Sequence, residues 1–155
     1  MFFVILQIFH RRYKHKHTTI MTIKEFFKKD RFATLIGAEL VETDKGYAKA
    51  RMKVEECHLN GGDVCQGGAI FTLADLAFAA AVNSHGTLTF AITSHITYVR
   101  SARKGDWLYA EAHETVDHHS VPLCEVKVTD EKGNLIAVFS GSGYRKKSVQ
   151  LDVEI

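Results

Sequence analysis

The sequence predicts an α+β fold in which one long helix packs against an antiparallel sheet of about six strands. Residues 69–83 contain the most apolar run of the 155-residue chain and have the Ala- and Leu-rich composition of a buried helix. The segments on either side alternate between apolar and polar residues, which is typical of strands with one buried face. A chain of this length can form one domain with a substantial hydrophobic core.

A short helix over residues 23–35 is predicted to open the domain. Thr22, with Glu25 three residues later, has the spacing of a capping box, and Gly37 would end the helix. The apolar face of this helix would consist of four residues: Phe26, Phe27, Phe32 and Leu35.

Strand patterns account for most of the remaining chain. Residues 38–43 and 47–54 predict a hairpin whose turn contains Gly46, a residue that tolerates positive φ. After the central helix, Gly86 supplies a stop signal. Four further strands are predicted at residues 88–99, 107–116, 123–130 and 135–145. Because no linker or repeat divides the chain, we expect these strands to join one sheet around the helix.

The domain proper is expected to span residues 21–147, followed by a C-terminal tail at 148–155. Residues 1–20 are interpreted as an extension outside the fold. In this segment an apolar run of nine residues precedes the basic residues, which is the reverse of a secretory signal, and nine residues cannot span a bilayer that needs about 20. A membrane-surface anchor and an interaction tail are the alternatives for this extension.

Composition excludes several classes of function. A net charge of +2 is too small to indicate nucleic-acid binding. The three cysteines, Cys57, Cys65 and Cys124, lack the paired spacing of a disulfide framework or a zinc site, so we expect reduced thiols in a cytoplasmic protein. His118 and His119 have no third ligand at metal-binding spacing. No metal, no other cofactor and no stable membrane insertion are therefore expected.

Asp75 is the one charged residue within the apolar run and is the first candidate for catalysis. It lies seven residues beyond Gly68, too far into the helix to cap its start. The alternatives are that it faces solvent or pairs with a buried basic residue. A carboxylate in apolar surroundings has a raised pKa and suits the role of general base or nucleophile.

Gly67 and Gly68 directly precede the predicted helix. They can form a simple turn. Alternatively, backbone N–H groups at a helix N-terminus, with no side chains in the way, can hold an oxyanion or polarise a carbonyl group.

The motif formed by Asn60, Gln66-Gly67-Gly68 and Ala74-Asp75 resembles that of hotdog acyl-CoA thioesterases of the phenylacetic-acid-degradation group. The 4-hydroxybenzoyl-CoA thioesterases are similar in kind. The later segment 96–106 also matches, and the resemblance extends roughly over residues 32–144. It implies the hotdog fold, in which a sheet wraps around one central helix.

The resemblance also implies an activity, the hydrolysis of acyl-CoA thioesters to the free acid and CoA. By this likeness the Gly67 backbone N–H polarises the thioester carbonyl, and Asp75 is the nucleophile or the general base for water. Asn60 orients the substrate or the water, and Thr93 lies near the attacking water. The site would form between two subunits of a dimer or tetramer, with Asp75 reaching in from the partner.

Further substrate contacts are predicted at Gln66 and Gly68 and at the basic residues Arg100, Arg103 and Lys104. The three basic residues could bind the phosphates of CoA, or they could simply form a solvated turn. Gln66 departs from the family, which usually has His before the glycine pair; because Gln does not titrate near neutrality, it cannot act as a proton donor to the leaving thiolate.

Two other functions are compatible with a hotdog fold. A hydratase or dehydratase would need a His paired with an acid on the central helix, and residues 69–83 contain no His. A non-catalytic acyl-CoA-binding domain would keep the pocket and could lose the acid, yet Asp75 is present. These two functions remain alternatives to the thioesterase function.

Overall fold

The structure is a computed structural model that describes residues 20–155. Predictions about the segment before residue 20 lie outside these residues. The helices are α1 (Ile23–Phe27), α2 (Arg31–Leu35) and α3 (Gly67–Asn83). The strands are β1 (Met21–Thr22), β2 (Glu39–Asp44), β3 (Tyr47–Lys53), β4 (Thr87–Tyr98), β5 (Trp107–Val116), β6 (Leu123–Asp130), β7 (Leu135–Gln150) and β8 (Val153–Glu154). No helix within the described range combines the length and apolarity needed to cross a bilayer.

Six of the strands form one antiparallel sheet in the order β2-β3-β5-β6-β7-β4. The long helix α3 packs against every strand of this sheet. The short strands β1 and β8 form a separate parallel pair. One central helix surrounded by a six-stranded antiparallel sheet confirms the predicted α+β class and the hotdog arrangement.

Small side chains let the sheet approach α3 closely. Strand β3 alternates as predicted, with Ala48, Ala50 and Met52 fully buried against the helix side. On β7, a Cβ added to Gly141 would come within 3.0 Å of the ring of Phe78, a helix residue. Because these residues are small, the sheet and the helix come into close contact and the core between them is densely packed.

The predicted helix over residues 23–35 is wrong, since the structure has two short helices there. The capping box of Thr22 and Glu25 is confirmed at the start of α1. Asp30 then interrupts the helix because its carboxylate accepts hydrogen bonds from the backbone of the next turn, at Phe32 N (3.1 Å) and Ala33 N (3.0 Å). The break leaves Phe32 61% exposed rather than buried, so the expected apolar face is not continuous.

The last strand is longer than predicted. β7 continues to Gln150, so the domain boundary proposed at residue 147 falls inside a strand. Beyond it, Val153 and Glu154 pair with Met21 and Thr22, which brings the two ends of the described chain together. The polar sequence after Arg145 conceals this strand because its side chains are mostly exposed and carry no apolar alternation.

A buried ion network joins the C-terminal end of α3 to β5 and β7. The Arg145 guanidinium is 7% exposed and donates hydrogen bonds to Glu114 Oε1 (2.6 Å) and Asp117 Oδ1 (2.5 Å). His85 pairs with the other oxygen of Glu114. Burial raises the pKa of Glu114, and His85 and Arg145 offset part of this rise. Arg145 is therefore a structural residue and is not available to bind a ligand phosphate.

We predict that Glu114→Gln lowers the free energy of unfolding by about 3 kcal/mol, because it breaks a buried ion pair and leaves Arg145 undercompensated. Glu39→Gln is the matched control, since Glu39 also pairs with an arginine (Arg51 Nε, 2.7 Å) but on the surface. It should cost less than about 1 kcal/mol. Denaturant unfolding at neutral pH measures both, and equal losses would contradict the structural role of the network.

Candidate active site

Gln66 organises the start of α3. Its side-chain Oε1 accepts a hydrogen bond from the Gly68 N–H, which caps the helix. Its backbone carbonyl accepts from Ala69 N (3.0 Å) and Ile70 N (3.5 Å). The first four N–H groups of a helix lack partners within the helix, and here one residue provides partners for three of them.

The remaining donor of this turn is the Gly67 N–H, which donates to no residue that the structure describes. It lies at the positive end of a 17-residue helix, where partial negative charge is stabilised. The structure thus distinguishes two glycines that the residue pattern alone treated alike and that only the family resemblance told apart: the Gly68 N–H is occupied by Gln66, and the Gly67 N–H is open.

Tyr98 contacts Gly67 from the end of β4. The phenol Oη donates a hydrogen bond to the Gly67 carbonyl oxygen over 2.8 Å. A Cβ added at Gly67 would lie only 2.9 Å from Tyr98 Cζ and Oη, closer than real Cβ atoms approach. A side chain at this position would have to displace the Tyr98 ring. No sequence pattern signals this contact, since Tyr98 is only one position in an alternating strand.

Asn60 shapes the loop that leads to Gly67. Its Oδ1 accepts hydrogen bonds from Gly62 N (2.8 Å) and Val64 N (3.4 Å), so the carbonyl end of the side chain holds the loop together. The side-chain amide donates to no residue of the described chain and stays exposed. Gln66 N then donates to His58 O (2.7 Å), which joins the loop to the helix start.

The three predicted basic residues lie at the same end of the helix. The loop that carries them is held there by a hydrogen bond from Cys65 N to Ala102 O (2.8 Å). Lys104 is engaged in an exposed ion pair with Glu56, which raises the pKa of Lys104. Arg100 and Arg103 are exposed and form no ion pair with another described residue. Two of the three side chains are therefore free to meet an anionic ligand.

His58 is buried and serves the loop. Its Nδ1 accepts from the Glu55 N–H (2.9 Å). Its Nε2 is buried and has no partner among the described residues. His58 therefore does not offer an exposed titrating group that could replace the histidine missing at Gln66.

Asp75 lies partly buried on α3, two turns beyond the glycines. It forms no hydrogen bond or ion pair with any residue in the described part of the chain. Burial raises the pKa of its carboxyl group, and the negative charge of Asp30 adds to the rise. A half-buried carboxylate without a partner has the enhanced basicity that proton abstraction requires.

Thr93 does not join the Gly67 group in this subunit. Its hydroxyl is hydrogen-bonded to Ser142 Oγ over 2.6 Å, in the middle of β4. Five residues of extended strand separate it from Tyr98, which corresponds to about 17 Å. Its predicted place near the attacking water stays a prediction.

Sequence reasoning missed a cluster of potential metal ligands. His85, Glu114 and Asp117 bring their donor atoms within 4.8 Å of one another. Arg145 binds both carboxylates, so its positive charge already occupies the position where a cation would be stabilised. Residues so far apart in sequence give no spacing signal.

The clefts on the described surface include one of about 620 Å³ beside α1, α2 and Leu76, and one of about 320 Å³ beside Thr93. Neither of these two clefts is lined by Gly67 or Asp75.

Comparison with known proteins decides the family. The model of the thioesterase superfamily matches residues 62–137. A putative esterase of Archaeoglobus fulgidus is 41% identical over 131 residues, covering 84% of this chain and 85% of that protein. The acyl-coenzyme A thioesterase PaaI of Escherichia coli is 30% identical over 129 residues, covering 83% and 92% respectively. This chain belongs to the thioesterase superfamily.

Solved structures agree with this assignment. The structure of Escherichia coli PaaI superposes with a TM-score of 0.77 at 29% identity, covering 83% of this chain and 91% of that one. A Streptococcus mutans protein bound to acetyl CoA superposes with a TM-score of 0.68 at 25% identity, covering 70% and 88%. The predicted hotdog thioesterase family and the enzyme class, a thioester hydrolase, are confirmed.

We predict that Asp75→Asn makes the thioesterase as stable as the wild type or more so at neutral pH, by a few degrees in Tm. The folded-state pKa of Asp75 is raised, so its contribution to stability is present below the unfolded pKa and is lost as pH rises through the folded pKa. The difference in Tm between variant and wild type should vanish below about pH 3.5, where the Asp75 carboxyl of the wild type is protonated in both the folded and the unfolded state. Thermal unfolding across pH tests this, and a variant less stable at neutral pH would show that Asp75 has a stabilising partner.

Proposed function

We propose that this thioesterase hydrolyses acyl-CoA, with the Gly67 N–H and Asp75 acting on one thioester from two different subunits. The observation that carries the proposal is that the Gly67 N–H and the Asp75 carboxylate lie on one helix and have no hydrogen-bond partner among the described residues. Every neighbouring N–H of the first turn is satisfied, and Asp75 is held in a half-buried position with raised pKa. Unpaired groups of this kind are expected where a substrate completes the interactions.

The spacing on α3 favours a site shared with a second subunit. Gly67 and Asp75 are eight residues apart, which corresponds to about 12 Å along the helix axis. A carbonyl oxygen about 3 Å from its donor and an attacking atom within about 3.5 Å of the carbonyl carbon put the donor and the attacking atom about 7 Å apart. This separation is reached more easily between two helices than along one. We therefore propose that Asp75 of one subunit faces Gly67 of another.

The two edges of the sheet support pairing through β4. At the β2 edge, Lys24 Nζ donates a hydrogen bond to the Val41 carbonyl oxygen (2.5 Å), and the strand has a register shift at the same place. Both features disfavour pairing of this edge with another strand. The β4 edge is 12 residues long and carries exposed apolar side chains, among them Phe90 and Ile92. Long apolar edges invite pairing with a second copy. A dimer formed at β4 is therefore the minimal unit that we propose.

The proposed reaction starts with the thioester carbonyl oxygen accepting a hydrogen bond from the Gly67 N–H. Asp75 of the other subunit either attacks the carbonyl carbon or removes a proton from an attacking water. In both cases a carbon–oxygen bond forms, the carbon–sulfur bond breaks, and CoA leaves as a thiolate. Attack by Asp75 gives a mixed anhydride, which a water then hydrolyses to the free acid and the Asp75 carboxylate. The proton lost by the water passes to the CoA thiolate or to solvent. Negative charge on the carbonyl oxygen grows as the bond forms, so the N–H stabilises the transition state more than the substrate.

Gln66 would act in this scheme through the helix start rather than through proton transfer. Its side chain caps Gly68 and so leaves Gly67 as the open donor. Arg100 and Arg103, which are exposed and free of ion pairs among the described residues, are the residues proposed to bind the CoA phosphates. Lys104 would have to leave Glu56 to take part.

The test is a free-thiol release assay over a panel of aromatic and aliphatic acyl-CoAs. We expect turnover by the wild type and a loss of about 10²- to 10⁴-fold in kcat for Asp75→Asn. The control is Asp152→Asn, an exposed aspartate outside the six-stranded sheet, which should keep wild-type activity. Binding of acyl-CoA without turnover by the wild type would favour a non-catalytic domain, and full activity of Asp75→Asn would refute the proposed role of this residue.

A further inference from the structure

The N-terminal residue of α3 is held in an unusual way. Helix ends fray, and a helix that begins with two glycines has more backbone freedom there than any other. Gly67 has no side chain with which to anchor itself. Tyr98 instead contacts it from β4, with its hydroxyl on the Gly67 carbonyl (2.8 Å) and its ring against the Cα.

We infer that Tyr98 is a positioning residue that fixes the direction of the Gly67 N–H toward the thioester carbonyl. This inference rests on the proposed function. The hydrogen bond restrains the peptide plane that follows Gly67, and the ring blocks movement of its Cα toward β4. With both restraints, the peptide plane that carries the N–H has little freedom to rotate. An oxyanion donor is effective only when it is aimed before the charge develops.

The surroundings of Tyr98 suit this task. Burial raises the pKa of the phenol, and neighbouring Cys65 adds to the rise, so the hydroxyl remains a donor over the whole neutral range. Cys65 lies in the backbone segment that ends at Gln66, and its N–H is bonded to the loop after β4. Hydrogen bonds from the strand end and to the loop therefore hold the chain on both sides of Gln66. The hydroxyl itself makes no other hydrogen bond within the described chain.

The first test is Tyr98→Phe, which keeps the ring and removes the hydrogen bond. We expect kcat to fall about 3- to 10-fold with KM within about twofold, as for loss of one orienting hydrogen bond. The ¹⁵N order parameter of the Gly67 N–H, measured by NMR relaxation, should fall. The control is Tyr109→Phe, whose hydroxyl has no hydrogen-bond partner in the described structure, and which should change neither quantity.

The second test uses the close contact. Gly67→Ala should lower Tm, because the new Cβ would lie 2.9 Å from the Tyr98 ring. In a Tyr98→Ala background the same substitution should cost less, because the ring is gone, although activity stays low. Additive losses of Tm would show that the ring does not restrain Gly67 and would overturn the inference.

The two tests separate this inference from the proposed function. If the wild type releases no thiol from any acyl-CoA, the function fails, but the order parameter of the Gly67 N–H still reports whether Tyr98 restrains it. A Tyr98→Phe variant with wild-type kcat, or with an unchanged Gly67 order parameter, would overturn the positioning role. A fall in Tm with no change in kcat would do so as well, since it would indicate a structural contact only.

Discussion

The straight helix α3 fixes the distance between the two groups on which the chemistry depends. Gly67 begins the helix and Asp75 follows two turns later, so about 12 Å of rigid backbone separates them. The sheet packs against this helix on most sides and prevents it from bending or sliding. The proposed site therefore takes Gly67 from one subunit and Asp75 from another. This proposal depends on the helix geometry and not on any detail of an interface.

The other functional and structural residues lie at different positions relative to helix α3. The helix start, the loop of Asn60, Tyr98 and the two free arginines lie at one end and would bind the carbonyl and the CoA. Asp75 and Thr93 lie farther along and would act in the neighbouring site. The buried network of Arg145 stabilises the opposite end of the helix, away from both. In this proposal binding, attack and stability depend on different parts of the molecule, and the β4 edge is the proposed surface for joining two subunits.

Periodicity and composition were sufficient to predict the central helix, the six strands and the isolated carboxylate. They failed where tertiary contacts or local capping decide the outcome. The break at Asp30 depends on a side chain competing for backbone N–H groups, and the extension of β7 beyond Arg145 lacks apolar alternation. The glycine pair indicated an anion site, but the residue pattern alone could not distinguish Gly67 from Gly68, and only the family resemblance singled out Gly67. The difference between the two N–H groups depends on where the Gln66 side chain points. Tyr98 and the network around Glu114 involve residues far apart in sequence, and no spacing rule connects them.

The most direct test of the shared site is a heterodimer of two inactive variants. One subunit carries Asp75→Asn, and the other carries Gly67→Val, which displaces Tyr98 and blocks the helix start. With a different affinity tag on each subunit, the mixed dimer can be purified and assayed for thiol release. We expect each homodimer to be inactive and the heterodimer to have about half of the wild-type activity, since one of its two sites has both groups intact. A heterodimer no more active than either parent would contradict the sharing of Gly67 and Asp75 between subunits.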